Sequence, residues 1–507
     1  MSAAVRHFMF YLLLLCLFSG SPLMGSSNRT NNDPYPVYTA LYPYTYCTNN
    51  FRDYEAGLLP DHEQEHFIFN VSPFRQAAVL GKNIHNHSAQ LGDLTGRWNM
   101  ISLFYPGDDD QNTNNTVQQT LFNVLGINQA ELAGGCGNTS TGSMSPLTLM
   151  GVLTTPSLRD PTEQFGFFSV PIRYRKWGVR FQAEFYIAAG IGLQVQTGVC
   201  DIIQTTSFID RTCTALGRNC PTGVCSPQCC DIDQIGCTCK TIVMNQIMDQ
   251  YQTIAETLRL DIRNYNKRCA EDTRVNLYWR KVFPINQDRE GWPYFLMMPF
   301  VVLEGLVPTG NKVNPNQLFA LPGGNDGHGG LGFTAGLNFD FVETIEIGVQ
   351  ASMTDFFARN YCNYPVPVNE FQNGMLPWKA NLRLQPATNW TFAALMNARN
   401  FLYRLSVWAQ WVATYHGRDC FTNVTVLPFN PGGNAPLIPS NSGSTALPEP
   451  EVGLMATRSR WNSHMINVGL TYDISPNIAL GFLWQTPVAR QNAYRSTTLM
   501  GSLIVTW

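Results

Sequence analysis

Two histidines and a glutamate near the N-terminus have the spacing of a zinc-protease helix. His62, Glu63 and His66 match H-E-x-x-H, in which histidines one helical turn apart bind zinc and the glutamate acts as general base. The surroundings favour a different structure, because Pro60 precedes the motif closely and residues 67–71 continue as a strand. The sequence therefore predicts no metal site here, and a secreted metalloprotease is kept only as a third function to be tested.

Cysteines form the largest group of reactive side chains. Their spacing is irregular, with an adjacent pair and a C-x-C, whereas zinc sites use paired spacings at a fixed distance. In an exported chain, cysteines are expected to form disulfides. The chain has 14 cysteines, so losing Cys16 with a leader leaves an odd number and one thiol free or paired between chains. The disulfide candidates are Cys200, Cys213, Cys220, Cys225, Cys229, Cys230, Cys237, Cys239 and Cys269.

Apolar residues recur at helical spacing between the last two of these cysteines, from Met244 to Tyr265. This pattern predicts an amphipathic helix pinned by disulfides within a Cys-rich external loop, residues 197–272. Packing on a larger structure, plugging its mouth, pairing with another copy and binding a partner are all compatible with such a helix.

Composition narrows the class of protein. Residues 8–18 are an apolar run after Arg6, too short to span a bilayer and typical of a secretory signal peptide, assigned to residues 1–26. The net charge of −3 gives no basic field for nucleic acid. No nucleophile elbow, P-loop or dinucleotide fingerprint is present, so neither a cofactor nor an enzymatic activity is predicted.

The stretch from Val179 to Gln196 alternates strictly between apolar residues and polar or small ones. Successive side chains of a strand point to opposite faces, so this period of two places every apolar group on one face. Its length exceeds the usual 5–6 residues of a soluble strand. One apolar and one polar face over that length are typical of a strand in an outer-membrane barrel.

The same alternation recurs along the chain. Counting from Arg97 gives twelve strands, or fourteen if residues 66–80 contribute a pair, with short turns near Arg175, Asp288, Val342, Pro386 and Pro476. The expected fold is all-β, a transmembrane antiparallel β-barrel of about 12–14 strands with long external loops. Residues 27–95 are expected to form an N-terminal periplasmic segment with the first strands at most, and residues 96–507 the barrel.

The last strand adds a resemblance to a family. Leu499, Leu503, Val505 and the terminal Trp507 alternate with smaller or polar residues. This ending is similar to the C-terminal signal of bacterial outer-membrane β-barrel proteins. The resemblance implies an outer-membrane location and recognition of these residues by the outer-membrane assembly machinery.

The leading functional hypothesis is a porin-like channel or transporter for small solutes, in contact with outer-membrane lipid and without a cofactor. The runner-up is a surface adhesin or structural envelope protein anchored by its barrel. The remaining candidate partner is another copy of the chain, in a homo-oligomer. If the apolar faces meet lipid, the pore-lining residues are Arg180, Glu184, Arg274, Arg280, Asp340, Glu346, Lys379, Arg383, Arg404 and Asp473. Cations exceed anions in this set, which predicts a weak anion preference at most.

Overall fold

The computed structural model describes residues 67–83, 85–96, 98–99, 167–210, 249–287, 293–341, 345–369, 372–402, 404–428, 447–475 and 477–507. The predicted signal peptide, the H-E-x-x-H motif and most of the Cys-rich segment lie outside these residues.

The described residues form 21 strands. In chain order they are β1 Phe67–Lys82, β2 Ser88–Gln90, β3 Trp98–Asn99, β4 Phe167–Ser169, β5 Ile172–Ala188, β6 Ile191–Thr206, β7 Ile209–Asp210, β8 Tyr265–Ala270, β9 Thr273–Arg280, β10 Phe283–Gln287, β11 Pro293–Val307, β12 Gly330–Phe341, β13 Ile345–Phe356, β14 Arg359–Val366, β15 Trp378–Gln385, β16 Asn389–Leu402, β17 Leu405–His416, β18 Cys420–Val426, β19 Trp461–Ser475, β20 Ile478–Gln491 and β21 Ala493–Thr506.

Twelve of these strands form a closed antiparallel barrel. Each pairs with the next around the wall, and β21 closes the circle on β1. Closure leaves no open edge in the wall, so every wall strand has two neighbours to hydrogen-bond. The order around the barrel is β1, β5, β6, β9, β11, β12, β13, β16, β17, β19, β20 and β21.

Residues 179–196 belong to two strands rather than one. Ala189 and Gly190 have φ angles of +52° and +83° and connect β5 to β6. Positive φ at both central residues is the type I′ geometry, whose twist suits an antiparallel hairpin. A bulge between Tyr186 and Ala188 shifts the register, so that residues of the same parity face the same side in both strands. The alternation therefore continues through the turn, which explains why the sequence predicted a single strand.

The two ends of the barrel differ. At one end of the barrel, the turn end, lie the facing ends of five pairs of wall strands: β5 and β6, β9 and β11, β12 and β13, β16 and β17, and β19 and β20. The opposite end, the loop end, carries the long connections. The predicted turns near Asp288, Val342 and Pro476 fall on residues outside the described part of the chain. The other two predictions were wrong: Arg175 lies within β5, and Pro386 lies at the loop end.

A smaller sheet at the loop end, the outer sheet, consists of β14, β15 and β18, with β15 in the middle. Trp378, Ala380, Leu382 and Leu384 bury one of its faces. Residues 378–385, whose Lys379 and Arg383 were expected to line the pore, therefore belong to this sheet, and β16 is the wall strand that follows β13. Of the strand predicted to begin at Arg97, only Trp98–Asn99 (β3) is described, and β3 pairs with β4 outside the barrel wall.

Helical structure within the described residues is short. Residues 249–257 are helical, with Ile254 and Ala255 buried, and they fall inside the predicted amphipathic helix. Val452–Ser459 is a second α-helix, and Leu91–Asp93 is a 3-10 helix. Among the helices of the described residues, none combines the length and the apolar character needed to cross a membrane.

Candidate functional site

The outer surface of the barrel is apolar. On β5 the outward series from Ile187 to Trp177 includes Phe185 and Phe181, all of them exposed to the surroundings, and Arg175 follows it toward the loop end. Outward residues on the other wall strands are similarly exposed, including Leu331, Phe333, Val349, Trp390, Phe392, Leu470, Leu480, Phe482 and Leu499. An apolar belt of this extent is far larger than the patches that monomeric soluble proteins expose, and it suits contact with lipid.

An ion cluster on the inner wall joins two residues of β5 to Glu271. Arg180 donates from Nε and Nη2 to Glu271 over 2.7 and 3.0 Å, and Lys176 Nζ lies 2.7 Å from the same carboxylate. The Arg180 guanidinium also lies 4.6 Å from the centre of the Phe74 ring. All three charged side chains are almost fully buried. Such a bidentate pair is geometrically specific, and its members depend on one another because a buried charge without a partner is costly.

Glu271 lies in a two-residue break between β8 and β9. β8 and β9 both pair with β6 and are separated only by residues 271–272. The Glu271 amide donates to the Gly198 carbonyl over 2.8 Å, which keeps the chain beside β6. Glu271 then points to the inner wall, while Asp272 Oδ1 accepts from the Gly310 amide over 2.8 Å. The two acidic residues therefore connect the wall strand to the lumen and to the loop after β11.

Polar ladders cross the inner wall in two further places. Asn276 Nδ2 donates to Gln194 Oε1 over 2.8 Å, and Gln194 Nε2 donates to Glu184 over 3.2 Å. On the opposite side, a chain of amides links β17, β19 and β20, with 2.9 Å bonds from Asn467 to Gln410 and from Gln485 to Asn467. These bonds satisfy buried polar groups and brace neighbouring strands.

Carboxylates gather near the turn end. Asp340 and Glu346 are direct register partners on β12 and β13, and both are buried on the inner wall. Asp473 is the register partner of the inward Ala479 on β20. Arg274 lies 3.8 Å from Glu304, closer to the loop end.

Seven predicted pore-lining residues share the inward face of their wall strands: Arg180, Glu184, Arg274, Arg280, Asp340, Glu346 and Asp473. The other three predictions were wrong. Lys379 and Arg383 lie on β15 of the outer sheet. The sequence placed them in the lumen because β15 alternates in the same way as a wall strand. Arg404 is exposed in the turn between β16 and β17, where its Nη1 donates to the Ile474 carbonyl over 3.0 Å.

The corrected positions reverse the predicted charge balance. Sequence reasoning missed Lys176, Glu271 and Glu304 on the inner wall, the first two because they fell in segments interpreted as a turn and a loop. The inward parity of β5 was the signal that could have identified Lys176. Among the described residues, inward cations are Lys176, Arg180, Arg274, Arg280 and Arg490, and inward carboxylates are Glu184, Glu271, Glu304, Asp340, Glu346 and Asp473.

Apolar side chains fill another part of the lumen. Leu296 and Met298 on β11, Trp408 on β17 and Leu483 on β20 point inward, are buried, and belong to one contiguous apolar cluster. This cluster explains why β11 is apolar on both faces. It also continues into the loop-end residues, including Trp98 of β3 and Trp378 of the outer sheet. The lumen is therefore narrowed by packed side chains.

A buried network holds the loop after β11 against the outer sheet. His328 Nδ1 lies 2.8 Å from the Phe357 carbonyl oxygen, and its Nε2 lies 2.8 Å from the Tyr361 hydroxyl. That hydroxyl is 2.7 Å from Asp326 Oδ2. Burial lowers the pKa of His328 to about 4, so the imidazole is neutral at pH 7. These bonds give the loop a fixed position.

Of the disulfide candidates, Cys200 and Cys269 lie within the described residues. They are register partners on β6 and β8, and their sulfur atoms are 3.3 Å apart. Since both side chains are buried and face each other, small side-chain rotations suffice to reach bonding geometry. Cys362 and Cys420 are also described, and both are exposed on the outer sheet.

We expect Cys200 and Cys269 to be linked in the exported protein. A digest of the denatured, unreduced chain, analysed by mass spectrometry after alkylation, should yield a peptide pair joined through these residues. Alkylation of both thiols without prior reduction would contradict this pairing. Cys362 serves as the internal control, because its exposed thiol should react in the folded chain.

The C-terminal strand closes the barrel. Trp507 donates its amide to the Phe67 carbonyl over 2.9 Å, and the two rings lie 5.1 Å apart. Leu499 and Leu503 are exposed on the outer belt, in phase with Val505. The assembly signal expected in these residues therefore lies on the strand that pairs with β1.

Within the described residues, no group of three or more histidine, cysteine or carboxylate side chains could hold a metal ion. The H-E-x-x-H motif is not among those residues, so the metalloprotease hypothesis is untouched by this finding.

No protein-family model matches the sequence, and no curated protein matches it. Solved structures similar to the chain include an outer membrane channel from Pseudomonas putida F1, with 8% identity, a TM-score of 0.40 and coverage of 87% of this chain and 96% of that one. The transport unit of the Escherichia coli autotransporter AIDA-I has 8% identity and a TM-score of 0.33, covering 95% and 99%. The Ralstonia pickettii toluene transporter TbuX has 8% identity and a TM-score of 0.28, covering 89% and 91%. The assignment of the fold rests on the strand pairing of this chain, a closed twelve-stranded antiparallel β-barrel.

Proposed function

We propose that the chain is an outer-membrane channel or transporter for small solutes. The observation that carries this proposal is the contrast between the two surfaces of the closed barrel. The outer belt is apolar, which suits lipid, and the inner wall carries charged and amide side chains from most of its strands. Charged side chains on the wall of a narrow lumen set the selectivity of a channel.

Ion pairing within the lumen favours a preference for cations. Glu271 is shared by Lys176 and Arg180, and Glu304 faces Arg274. The remaining inward carboxylates lie mainly toward the turn end, including Asp340 and Glu346 as direct partners. This arrangement replaces the weak anion preference expected from the sequence.

Single-channel recordings in a planar bilayer, with a salt gradient, test this function. We expect discrete conductance steps and a reversal potential of the sign given by cations. The double substitution Asp340→Asn with Glu346→Gln should reduce that preference, because it removes neighbouring charges while preserving side-chain size. An anion preference in the unmodified protein would contradict the charge assignment.

Substitution of a single tryptophan tests whether packed side chains narrow the lumen. Trp408 points inward within the apolar cluster, whereas Trp411 on the same strand points outward. Trp408→Ala should increase conductance, while Trp411→Ala should leave it near that of the unmodified chain.

A barrel-anchored surface protein is the second candidate function. The burial of inward residues from β5, β11, β17 and β20, together with the outer sheet at the loop end, favours it. Absence of conductance in both the unmodified chain and Trp408→Ala, with the barrel folded, would support this candidate over a channel. Folding is checked by heat-modifiable migration on a gel.

A further inference from the structure

A cavity of about 200 Å³ lies at the loop end, between the outer sheet and the residues that follow the helical segment 249–257. Lys379 of β15 and Arg259 both line it. None of its lining residues belongs to a wall strand of the barrel. Pockets for drug-sized ligands have volumes of about 300–1,000 Å³, so this cavity suits a smaller molecule.

The cavity is cationic. Among its described lining residues none is acidic, and the Lys379 ammonium has no hydrogen-bond partner within the described part of the chain. Burial, with a contribution from the nearby Arg259, lowers the pKa of Lys379 to about 7. A partly buried ammonium beside a guanidinium is unfavourable until an anion joins them, because burial penalises a charge that has no counter-charge.

The rest of the lining defines the body of a ligand. Leu258, Leu427, Pro377 and Pro428 contribute apolar surface beside the two cationic side chains. The backbone fixes this arrangement, because the Leu427 amide donates to the Lys379 carbonyl over 2.8 Å. A cavity with a charged end and apolar walls recognises a molecule with the same two parts.

We propose that this cavity binds a small carboxylate with an apolar body, with Lys379 and Arg259 holding the carboxylate. The two cations supply charge-assisted hydrogen bonds, and the leucine and proline side chains cover the apolar part of the ligand. The site lies outside the barrel wall, so ligand binding does not depend on conductance.

Calorimetric titration of the full chain in detergent tests this proposal, with sodium benzoate as the probe. We expect saturable binding of benzoate and at least tenfold weaker binding of its neutral analogue benzamide. Lys379→Met should weaken benzoate binding at least tenfold. Arg383→Met is the matched control, since Arg383 lies on the same strand but does not line the cavity, and it should bind benzoate as the unmodified chain does.

Lys379→Arg separates loss of charge from loss of folding, because it keeps a cation and should retain most of the affinity. Heat-modifiable migration verifies the barrel in every variant. Undiminished benzoate binding by folded Lys379→Met, or no saturable binding to the unmodified chain, would overturn the proposal. Tighter binding of inorganic phosphate than of benzoate would also overturn it, since the apolar walls would then contribute nothing.

Discussion

Glu271→Ala is expected to destabilise the barrel by about 3–5 kcal/mol, the cost of breaking a buried ion pair by removing one partner. Its carboxylate is the counter-charge that Lys176 and Arg180 share, at distances of 2.7 Å from each. Removing it leaves two buried cations close together. It also removes the side-chain contact that ties residues 271–272, between β8 and β9, to the inner wall. Equilibrium unfolding by denaturant in lipid vesicles, followed by tryptophan fluorescence, measures the change in the free energy of unfolding.

An exposed ion pair on the neighbouring strands β6 and β8 provides the control. Arg268 of β8 lies 3.0 Å from Asp201 of β6, and its side chain is 84% exposed. Because water and salt screen such pairs, Asp201→Ala should cost about 0–1 kcal/mol. Equal destabilisation by the two substitutions would show that the Glu271 cluster contributes no more than a surface pair. Adding Lys176→Met to Glu271→Ala should recover part of the loss, because one of the two stranded cations is then absent.

The sequence predicts the barrel well because lipid imposes the same requirement on each wall strand. Every second residue must be apolar on the outward face, so alternation alone locates β5, β12, β13 and β21. The hairpin at residues 189–190 is hidden, because the bulge beside it preserves the parity of the apolar residues. Periodicity reports which face a residue occupies, and it is insensitive to a turn that conserves that face.

The errors in the site have a related cause. Any sheet with one buried face alternates, so β15 of the outer sheet has the same pattern as a wall strand. Its polar residues Lys379 and Arg383 were therefore assigned to the lumen, although they lie on the other face of an external sheet. Conversely, β16 alternates less clearly, because its inward face carries apolar Ala393 and Leu395 between polar residues such as Thr391. The ion cluster at Glu271 depends on long-range pairing that no local pattern encodes.

Phe181→Arg is expected to destabilise the barrel in lipid by about 2–4 kcal/mol, as found for cations at the midplane of membrane barrels. Phe181 lies near the middle of the outward series on β5, and its side chain is 38% exposed. Its register partners, Val71 on β1 and Thr197 on β6, provide no countercharge. The substituted guanidinium must therefore reach toward an interface or remain poorly solvated in the apolar belt.

Trp177→Arg is the matched control, because it changes an aromatic residue on the same face of the same strand. Trp177 lies at the edge of the belt, two residues from Arg175, and its register partner on β6 is Asp201. Its cost should be about 0–1 kcal/mol, as for cations near the interface. Unfolding measurements in vesicles distinguish the positions: the free energy of unfolding should fall with the depth of the substituted residue. Equal effects at both positions would be incompatible with a lipid-facing belt on β5, since only a membrane makes the cost of a charge depend on depth along the strand.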